Sequence, residues 1–142
     1  MFRTELRKER QKFSAAHFIL FDDGTVERLH GHNYYVTIDL KSNSLTNGMM
    51  IPFHLVKAEV DALCRKWDEC VLIPTTAPAV TLSVSGKQQN VRVKTSIVDK
   101  EYSLPTEDCV LVDCDNITCE NLSKMFAERC VKRPFLSLFR VY

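Results

Sequence analysis

Two strands are predicted at the start of the chain, where apolar and polar side chains alternate. Residues 2–16 mix charged and apolar positions and lead through the sequence FSAAH to His17. Residues 32–41 are rich in aromatic and β-branched side chains, which favour strands. Between them, the sequence DDG at residues 22–24 is typical of a turn, so residues 18–29 are predicted to form a loop. We expect the two strands to pair antiparallel across this loop.

Two helices are predicted by apolar positions that recur every three to four residues. The first follows Pro52, whose missing N–H costs little in the first turn of a helix. The second follows Thr118, a candidate N-cap, and is expected to end at Pro134. The apolar positions of the first helix are Leu55, Val56, Val60, Leu63 and Cys64, and those of the second are Leu122, Met125, Phe126 and Cys130.

The remaining segments predict a hairpin and two further strands. Residues 79–85 and 91–97 alternate on either side of a polar turn, residues 109–112 form a short apolar run, and residues 136–142 alternate again. This order of elements predicts an α+β fold with the helices on one face of an antiparallel sheet. We expect the hairpin at 79–97 to be a surface elaboration or a segment that packs on a neighbouring subunit.

The length and composition fit a single domain spanning residues 1–142. The mass is 16.3 kDa, and 45% of the residues are hydrophobic, enough to form an apolar core. The 19 basic and 18 acidic side chains nearly cancel, which argues against nucleic acid or an anionic membrane as a partner. No apolar stretch reaches the roughly 20 residues that cross a bilayer, and the first dozen residues lack the apolar core of a secretory signal. We therefore expect a cytoplasmic protein.

The six cysteines are expected to be reduced thiols. A chain of this size forms an apolar core without covalent crosslinks, and no C-x-x-C pair typical of zinc ribbons or redox motifs occurs. Most of these side chains are expected to be small buried hydrophobes. Cys70 alone is kept as a candidate reactive thiol.

The histidines suggest a metal site. His30 and His32 form an H-x-H pair at the start of a predicted strand, so both imidazoles point to the same face. His17 ends the preceding strand and can lie beside them across the pairing. Three neutral imidazoles suit Zn²⁺ with a fourth position left for water or substrate. From spacing alone, two surface histidines on a strand remain an alternative, and His54 is interpreted as structural.

Longer motifs around these histidines carry a family resemblance. The runs FSAAH ending at His17 and HGHNY beginning at His30, together with GMMI, WDE and NITCEN further along, resemble the 6-pyruvoyl-tetrahydropterin synthase family, which includes 6-carboxy-tetrahydropterin synthase. The resemblance covers essentially the whole chain. It implies the T-fold, a four-stranded antiparallel sheet with two helices on one face, in which three subunits close a barrel and two trimers stack into a hexamer.

The resemblance also implies a chemistry and a set of site residues. Members of the family are zinc-dependent carbon–oxygen lyases that act on 7,8-dihydroneopterin triphosphate in tetrahydrobiopterin biosynthesis, and related members serve other pterin pathways. The zinc ligands carry over to His17, His30 and His32. Thr118 and Glu120, at the start of the second helix, carry over as substrate-binding residues. A small-molecule pterin and further copies of the same chain are the implied partners.

The sequence departs from the family pattern at three places. No cysteine occurs in residues 1–63, so the family's usual cysteine base is missing, and Glu27 stands in its neighbourhood as E-x-x-H-G-H. Asp68 matches one member of the family's Asp-His relay, but Glu69 replaces the histidine, with Cys70 next to it as a candidate thiol. The glutamate that holds the pterin ring in the family would follow Tyr142, where the sequence ends.

Two functions from different classes are therefore expected. In the first, the protein is a zinc-dependent lyase in which Glu27 replaces the family's cysteine. In the second, it is a non-catalytic member that keeps the zinc and a pterin pocket. A purely structural zinc site is a weaker third possibility, because no fourth ligand stands at a fixed spacing. The direction of the Glu27 carboxylate, toward the metal position or toward solvent, discriminates the first two.

Overall fold

The structure, a computed structural model, describes residues 1–131 and 138–141 and contains two helices and two β-sheets. The strands are β1 Phe2–His17, β2 His30–Ser42, β3 Cys70–Pro74, β4 Val80–Ser85, β5 Gln88–Lys94, β6 Asp99–Pro105, β7 Cys109–Val112 and β8 Leu138–Val141; the helices are α1 Phe53–Trp67 and α2 Cys119–Val131. One sheet has the strand order β7-β3-β1-β2-β8, and the other has the order β4-β5-β6. The predicted α+β class is confirmed.

The larger sheet is mixed, whereas the expectation was four antiparallel strands. Strand β3 pairs in parallel with β1 on one side and with β7 on the other, and β2 pairs antiparallel with β8. The sheet therefore has five strands. The reason lies in β3, a short apolar strand that directly follows α1. A helix in the connection lets a strand return in the parallel direction, which a tight hairpin cannot do.

The chain forms two compact units, each assembled from separate stretches of sequence. The first consists of Met1–Phe13, Asn33–Asp68 and Cys119–Tyr142, and the second of Ser14–His32 and Glu69–Thr118. The long strands β1 and β2 each belong to the first unit over one part of their length and to the second over the other.

The first unit places both helices on the same face of its strands, as expected. The ring of Phe13 on β1 stacks on Tyr34 of β2, with centroids 4.8 Å apart. The same Phe13 ring meets Trp67 of α1 at 5.5 Å and Phe126 of α2 at 6.2 Å. These four rings are buried and give the unit an aromatic centre. Aromatic pairs at such distances add to the free energy gained from burial alone.

The second unit has its own core, and the predicted hairpin is part of it. Phe18, Ile73, Val91 and Val93 form a buried cluster, and the last two come from β5. The segment is a three-stranded sheet, because β6 pairs antiparallel with β5 along its whole length. Its expected role as a surface elaboration is therefore wrong, and its packing on a neighbouring subunit stays a prediction. The alternating side chains of β5 are buried against the loop that follows β1.

Two expectations concern the end of the chain. Strand β8 covers residues 138–141, within the predicted last strand. Pro134, the predicted stop of the second helix, lies outside the described residues, as do residues 136, 137 and 142. In the part of the chain that the structure describes, neither helix is long and apolar enough to cross a membrane.

Candidate metal centre

The second unit brings the three predicted histidines together. His17 is the last residue of β1, and His30 and His32 lie one pleat apart at the start of β2, so their rings share a face. The ring centroids are 4.8 Å apart for His17 and His30, 5.2 Å for His17 and His32, and 4.7 Å for His30 and His32. One nitrogen of each ring lies within 4.8 Å of one nitrogen of the others. Tetrahedral zinc requires nitrogens about 3.3 Å apart, a short adjustment from this arrangement.

Hydrogen bonds to backbone carbonyls fix the tautomers of two of these rings. Nδ1 of His17 donates to the carbonyl oxygen of Ile117 at 2.8 Å, and Nδ1 of His30 donates to that of Arg28 at 2.7 Å. Because a carbonyl oxygen only accepts, the hydrogen of each neutral ring is on Nδ1. The lone pair on Nε2 of each ring is therefore available to a metal. This arrangement, in which the second nitrogen is held by a carbonyl, is common among metal-binding histidines.

Burial favours the neutral form of His17. The pKa of His17 lies below its usual value, chiefly because the buried ring loses the solvation of its charged form. The hydrogen bond to Ile117 acts in the opposite direction but does not overcome this, and the neighbouring rings of His30 and His32 add to the lowering. His17 is therefore neutral at pH 7, the form in which an imidazole binds a metal.

The three candidate ligands differ in their exposure to solvent. His17 is buried, His30 is partly buried and His32 is exposed. The cluster is therefore closed on the His17 side and open on the His32 side. Such a site leaves room for a small molecule at a fourth coordination position, the feature that separates catalytic from structural zinc sites.

Glu27 directs its carboxylate toward this cluster. Oε2 of Glu27 lies 3.7 Å from Nε2 of His30, the nitrogen left free by the bond to Arg28. This oxygen is buried and accepts no hydrogen bond from the residues that the structure describes. A buried carboxylate oxygen that accepts no hydrogen bond is costly, so a cation beside it would be stabilised. Three imidazoles with a carboxylate beside them suit a zinc ion.

The other residues predicted for the site lie at the ends of the helices. In the second unit, Glu69 is exposed and donates its backbone N–H to the carbonyl oxygen of Ser14 at 2.7 Å, and Thr118 directly follows Ile117. In the first unit, Asp68 is the C-cap residue of α1 and Glu120 is in the first turn of α2, and both are exposed. None of these four forms part of the histidine cluster.

Several residues that shape the site were not anticipated from the sequence. The carbonyl groups of Ile117 and Arg28 act through the backbone, which no side-chain pattern indicates. The side chain of Asn116 is held against Leu20, accepting from its N–H at 3.1 Å and donating to its carbonyl oxygen at 2.8 Å. Asn116 lies in the motif NITCEN, so the sequence marked the segment without revealing this contact.

Comparison with known proteins gives a consistent result. The family model described as 6-pyruvoyl tetrahydropterin synthase matches residues 5–138. A Methanocaldococcus jannaschii protein named as a candidate 6-carboxy-5,6,7,8-tetrahydropterin synthase is 29% identical over 86% of this chain and 72% of its own. A Pyrococcus abyssi protein with the same name is 24% identical over 86% of this chain and 71% of its own.

Solved structures show the same fold. The 6-pyruvoyl tetrahydropterin synthase of Plasmodium vivax has a TM-score of 0.81 and 25% identity, covering 92% of this chain and 78% of its own. A variant of that protein, described as a mutant in which a catalytic glutamate is replaced by cysteine, gives the same TM-score at 24% identity and the same coverage. An uncharacterized protein of Wolinella succinogenes gives a TM-score of 0.63 at 19% identity, covering 100% of this chain and 93% of its own.

Proposed function

The chain belongs to the 6-pyruvoyl tetrahydropterin synthase family, and we propose that it is a zinc-dependent lyase that acts on 7,8-dihydroneopterin triphosphate. In this proposal His17, His30 and His32 bind the zinc ion and Glu27 is the general base. The reaction class is that of carbon–oxygen lyases acting on phosphates. A bound zinc ion would polarise oxygens of the substrate side chain and make the adjacent C–H groups more acidic.

The position of the Glu27 carboxylate is the observation that carries this proposal. Its buried Oε2, 3.7 Å from Nε2 of His30, faces the cluster rather than solvent. A base must stand within hydrogen-bond reach of the proton that it removes, and a substrate bound beside the histidines would bring its C–H groups to this oxygen. A glutamate is also the catalytic residue named for the Plasmodium vivax enzyme, which supports a glutamate in this role.

The proton that Glu27 accepts must be returned or released during the reaction. We assign Asp68 and Glu69 as the acidic groups that assist this transfer, in the sequence positions of the family's relay pair. We assign Thr118 and Glu120 to substrate binding, with the Glu120 carboxylate accepting hydrogen bonds from N–H groups of the pterin ring. Carboxylates are well suited to this task because they accept two parallel hydrogen bonds.

We also propose that the protein is a homo-oligomer, a trimer or a hexamer of stacked trimers, in the cytoplasm. Strands β7 and β8 are the outermost strands of the five-stranded sheet. Each outer strand offers backbone N–H and C=O groups that pair readily with another strand. Sedimentation at micromolar concentration should give about three or six times 16.3 kDa, and a clean monomer would contradict this assignment.

Replacement of Glu27 by Gln tests the catalytic proposal. The amide keeps the size of the side chain but cannot accept the proton, so kcat should fall about 10²–10⁴-fold while zinc content stays the same. Glu107→Gln, at an exposed position of the same unit, is the matched control and should keep full activity. Products from 7,8-dihydroneopterin triphosphate should be identified by mass.

The second candidate function is a non-catalytic zinc- and pterin-binding protein. It predicts zinc binding and pterin binding without turnover, both in the wild type and in Glu27→Gln. If Glu27→Gln were fully active, the base would be another group, and Cys70 and Glu69 would be tested next. If the wild type turned over neither dihydroneopterin triphosphate nor dihydroneopterin, the non-catalytic function would replace the lyase.

A further inference from the structure

The loop that carries Glu27 folds back on itself, with an antiparallel bridge between Leu20 and Val26. It turns at Gly24, whose N–H donates to the carbonyl oxygen of Phe21 at 3.0 Å. The N–H of Phe21 donates to the carbonyl oxygen of Thr25, also at 3.0 Å. The N–H of Glu27 donates to the carbonyl oxygen of Ile19 at 3.0 Å. A further bond within the loop runs from the N–H of Thr25 to Oδ1 of Asp23 at 2.8 Å, and the side chain of Asn116 bonds both backbone groups of Leu20 from outside the loop.

The three-stranded sheet β4-β5-β6 makes further contacts with this loop. The ring of Tyr102 on β6 stacks on Phe18 at the start of the loop, with centroids 5.9 Å apart. The hydroxyl of Thr95, just after β5, donates to the carbonyl oxygen of Gly24 at 2.7 Å. The apolar side chains of the loop pack on the buried valines of β5; they are Leu20, Val26 and Leu29. The sheet therefore holds the loop along its length.

Lys100 on β6 holds the loop at Glu27 itself. Its ammonium donates to the carbonyl oxygen of Val26 at 3.3 Å and to that of Glu27 at 3.2 Å. Lys100 is partly buried, so these charge-assisted bonds are less weakened by water than bonds at an open surface. They link the backbone of Glu27 directly to the neighbouring sheet.

The ammonium contacts the backbone and leaves the carboxylate available. Among the residues that the structure describes, the side chain within ion-pair distance of the Glu27 carboxylate is His30, and no ion pair joins Lys100 to this carboxylate. A lysine bonded to the carboxylate would stabilise its charge and weaken it as a base. A lysine bonded to the carbonyl groups restrains the chain on either side of the Glu27 Cα without that effect.

We infer that Lys100 is a positioning residue, which fixes the Glu27 backbone so that the carboxylate stays directed at the histidine cluster. The inference rests on the proposed function for its catalytic consequence, because it assigns Lys100 a role through Glu27. It gives the inserted sheet β4-β5-β6 a function: the sheet is the rigid support of the loop that carries the base. Small displacements of a catalytic group lower the rate strongly.

Lys100→Met is the test, with Lys87→Met as the matched control on the exposed turn of the same sheet. Amide hydrogen exchange over residues 20–29 should accelerate about fivefold or more in Lys100→Met and stay unchanged in Lys87→Met. In Lys100→Met, kcat should fall about 10- to 100-fold with KM nearly unchanged. Lys100→Arg should recover most of kcat, because a guanidinium can also donate to two carbonyl groups.

A double variant separates positioning from a general structural effect. In the Glu27→Gln background, Lys100→Met should change kcat by less than about twofold, because the group that it positions is already removed. An equal loss in both backgrounds, or unchanged amide exchange over residues 20–29 in Lys100→Met, would overturn the inference. If the wild type shows no turnover, the proposed function fails, and amide exchange alone then decides whether Lys100 fixes this loop.

Discussion

Nδ1 of His17 is hydrogen-bonded to the carbonyl oxygen of Ile117 at 2.8 Å, although the two residues are 100 positions apart in the sequence. This bond joins the end of β1 to the residue just before Thr118, within the second unit. It determines which nitrogen of the buried ring carries the hydrogen and hence which nitrogen faces His30 and His32. The tautomer of His17 is therefore set by a backbone group that is 100 positions away in the sequence.

We expect about one zinc ion per chain, lost when a ligand is removed. His32→Ala should reduce zinc from near one equivalent to near zero, because two imidazoles bind zinc far more weakly than three. His54→Ala, which removes a histidine outside the cluster, should retain zinc fully. The measurement is metal analysis after extensive dialysis. Equal zinc in the wild type and His32→Ala would contradict the ligand assignment.

Gly24→Ala should destabilise the loop that carries Glu27. Gly24 has a φ of +87°, and a Cβ there would lie 3.0 Å from the hydroxyl of Ser96. A side chain would therefore meet both backbone strain and a close contact, with a total cost of about 2 kcal/mol. Gly86→Ala is the control, because Gly86 has a φ of +60° and open space around its Cβ position. Urea denaturation should place Gly24→Ala below Gly86→Ala; the reverse order would exclude the contact as a cause.

Glu69→Gly should stabilise the protein. Glu69 follows the C-cap of α1 with a φ of +56°, a left-handed conformation that costs a residue with a Cβ about 1–2 kcal/mol. Glycine removes that conformational cost. Glu69→Ala deletes the same carboxylate but keeps the conformational cost, because alanine has a Cβ. Glu69→Gly should therefore be about 1 kcal/mol more stable than Glu69→Ala in urea denaturation. Both variants lack the carboxylate, so a role of Glu69 in proton transfer should lower their activities alike.

Two buried thiols should make the folded state less stable at alkaline pH. Burial raises the pKa of Cys64 to about 12 and that of Cys130 to about 11. In the unfolded chain both thiols ionise near the ordinary cysteine pKa of 9.0. The unfolded state therefore loses protons first as pH rises, and the free energy of unfolding should decrease from about pH 9 to pH 12.

Replacement of these thiols checks the cause of the alkaline loss. Cys64→Ala and Cys130→Ala should each lose less free energy of unfolding between pH 9 and pH 11 than the wild type does. Cys119→Ala, at an exposed position, is the control. In the folded wild type at pH 8, a thiol reagent should modify Cys119 well before Cys64 or Cys130. Rapid modification of Cys64 would show that its environment is open to solvent.

The parts of the fold that sequence predicted well depend on local patterns. Strands β1 and β2 and both helices follow from periodic apolar positions, and the H-x-H pair places His30 and His32 on one face by the geometry of a strand alone. Glu27 could be placed near them because it is only three residues from His30. In each case the determining residues are close together in the sequence.

The features that sequence did not predict depend on contacts between distant residues. Strand β3 is an apolar run of five residues without alternation, which periodicity cannot distinguish from a piece of buried helix. Strand β6 is rich in charged residues. One of them, Lys100, has hydrogen-bond partners that are more than 70 positions away in the sequence. Neither the parallel pairing of β3 nor the role of Lys100 has a local signature.

The division of the chain into two units also determines when each can form during synthesis. All residues of the second unit have been made once Thr118 is added, whereas the first unit contains both Met1–Phe13 and the residues from Cys119 onward. During synthesis β1 and β2 therefore emerge before β3 and β8, the strands that pair with their other edges. Their apolar faces would meanwhile be exposed, and a strand edge in that state is a target for molecular chaperones.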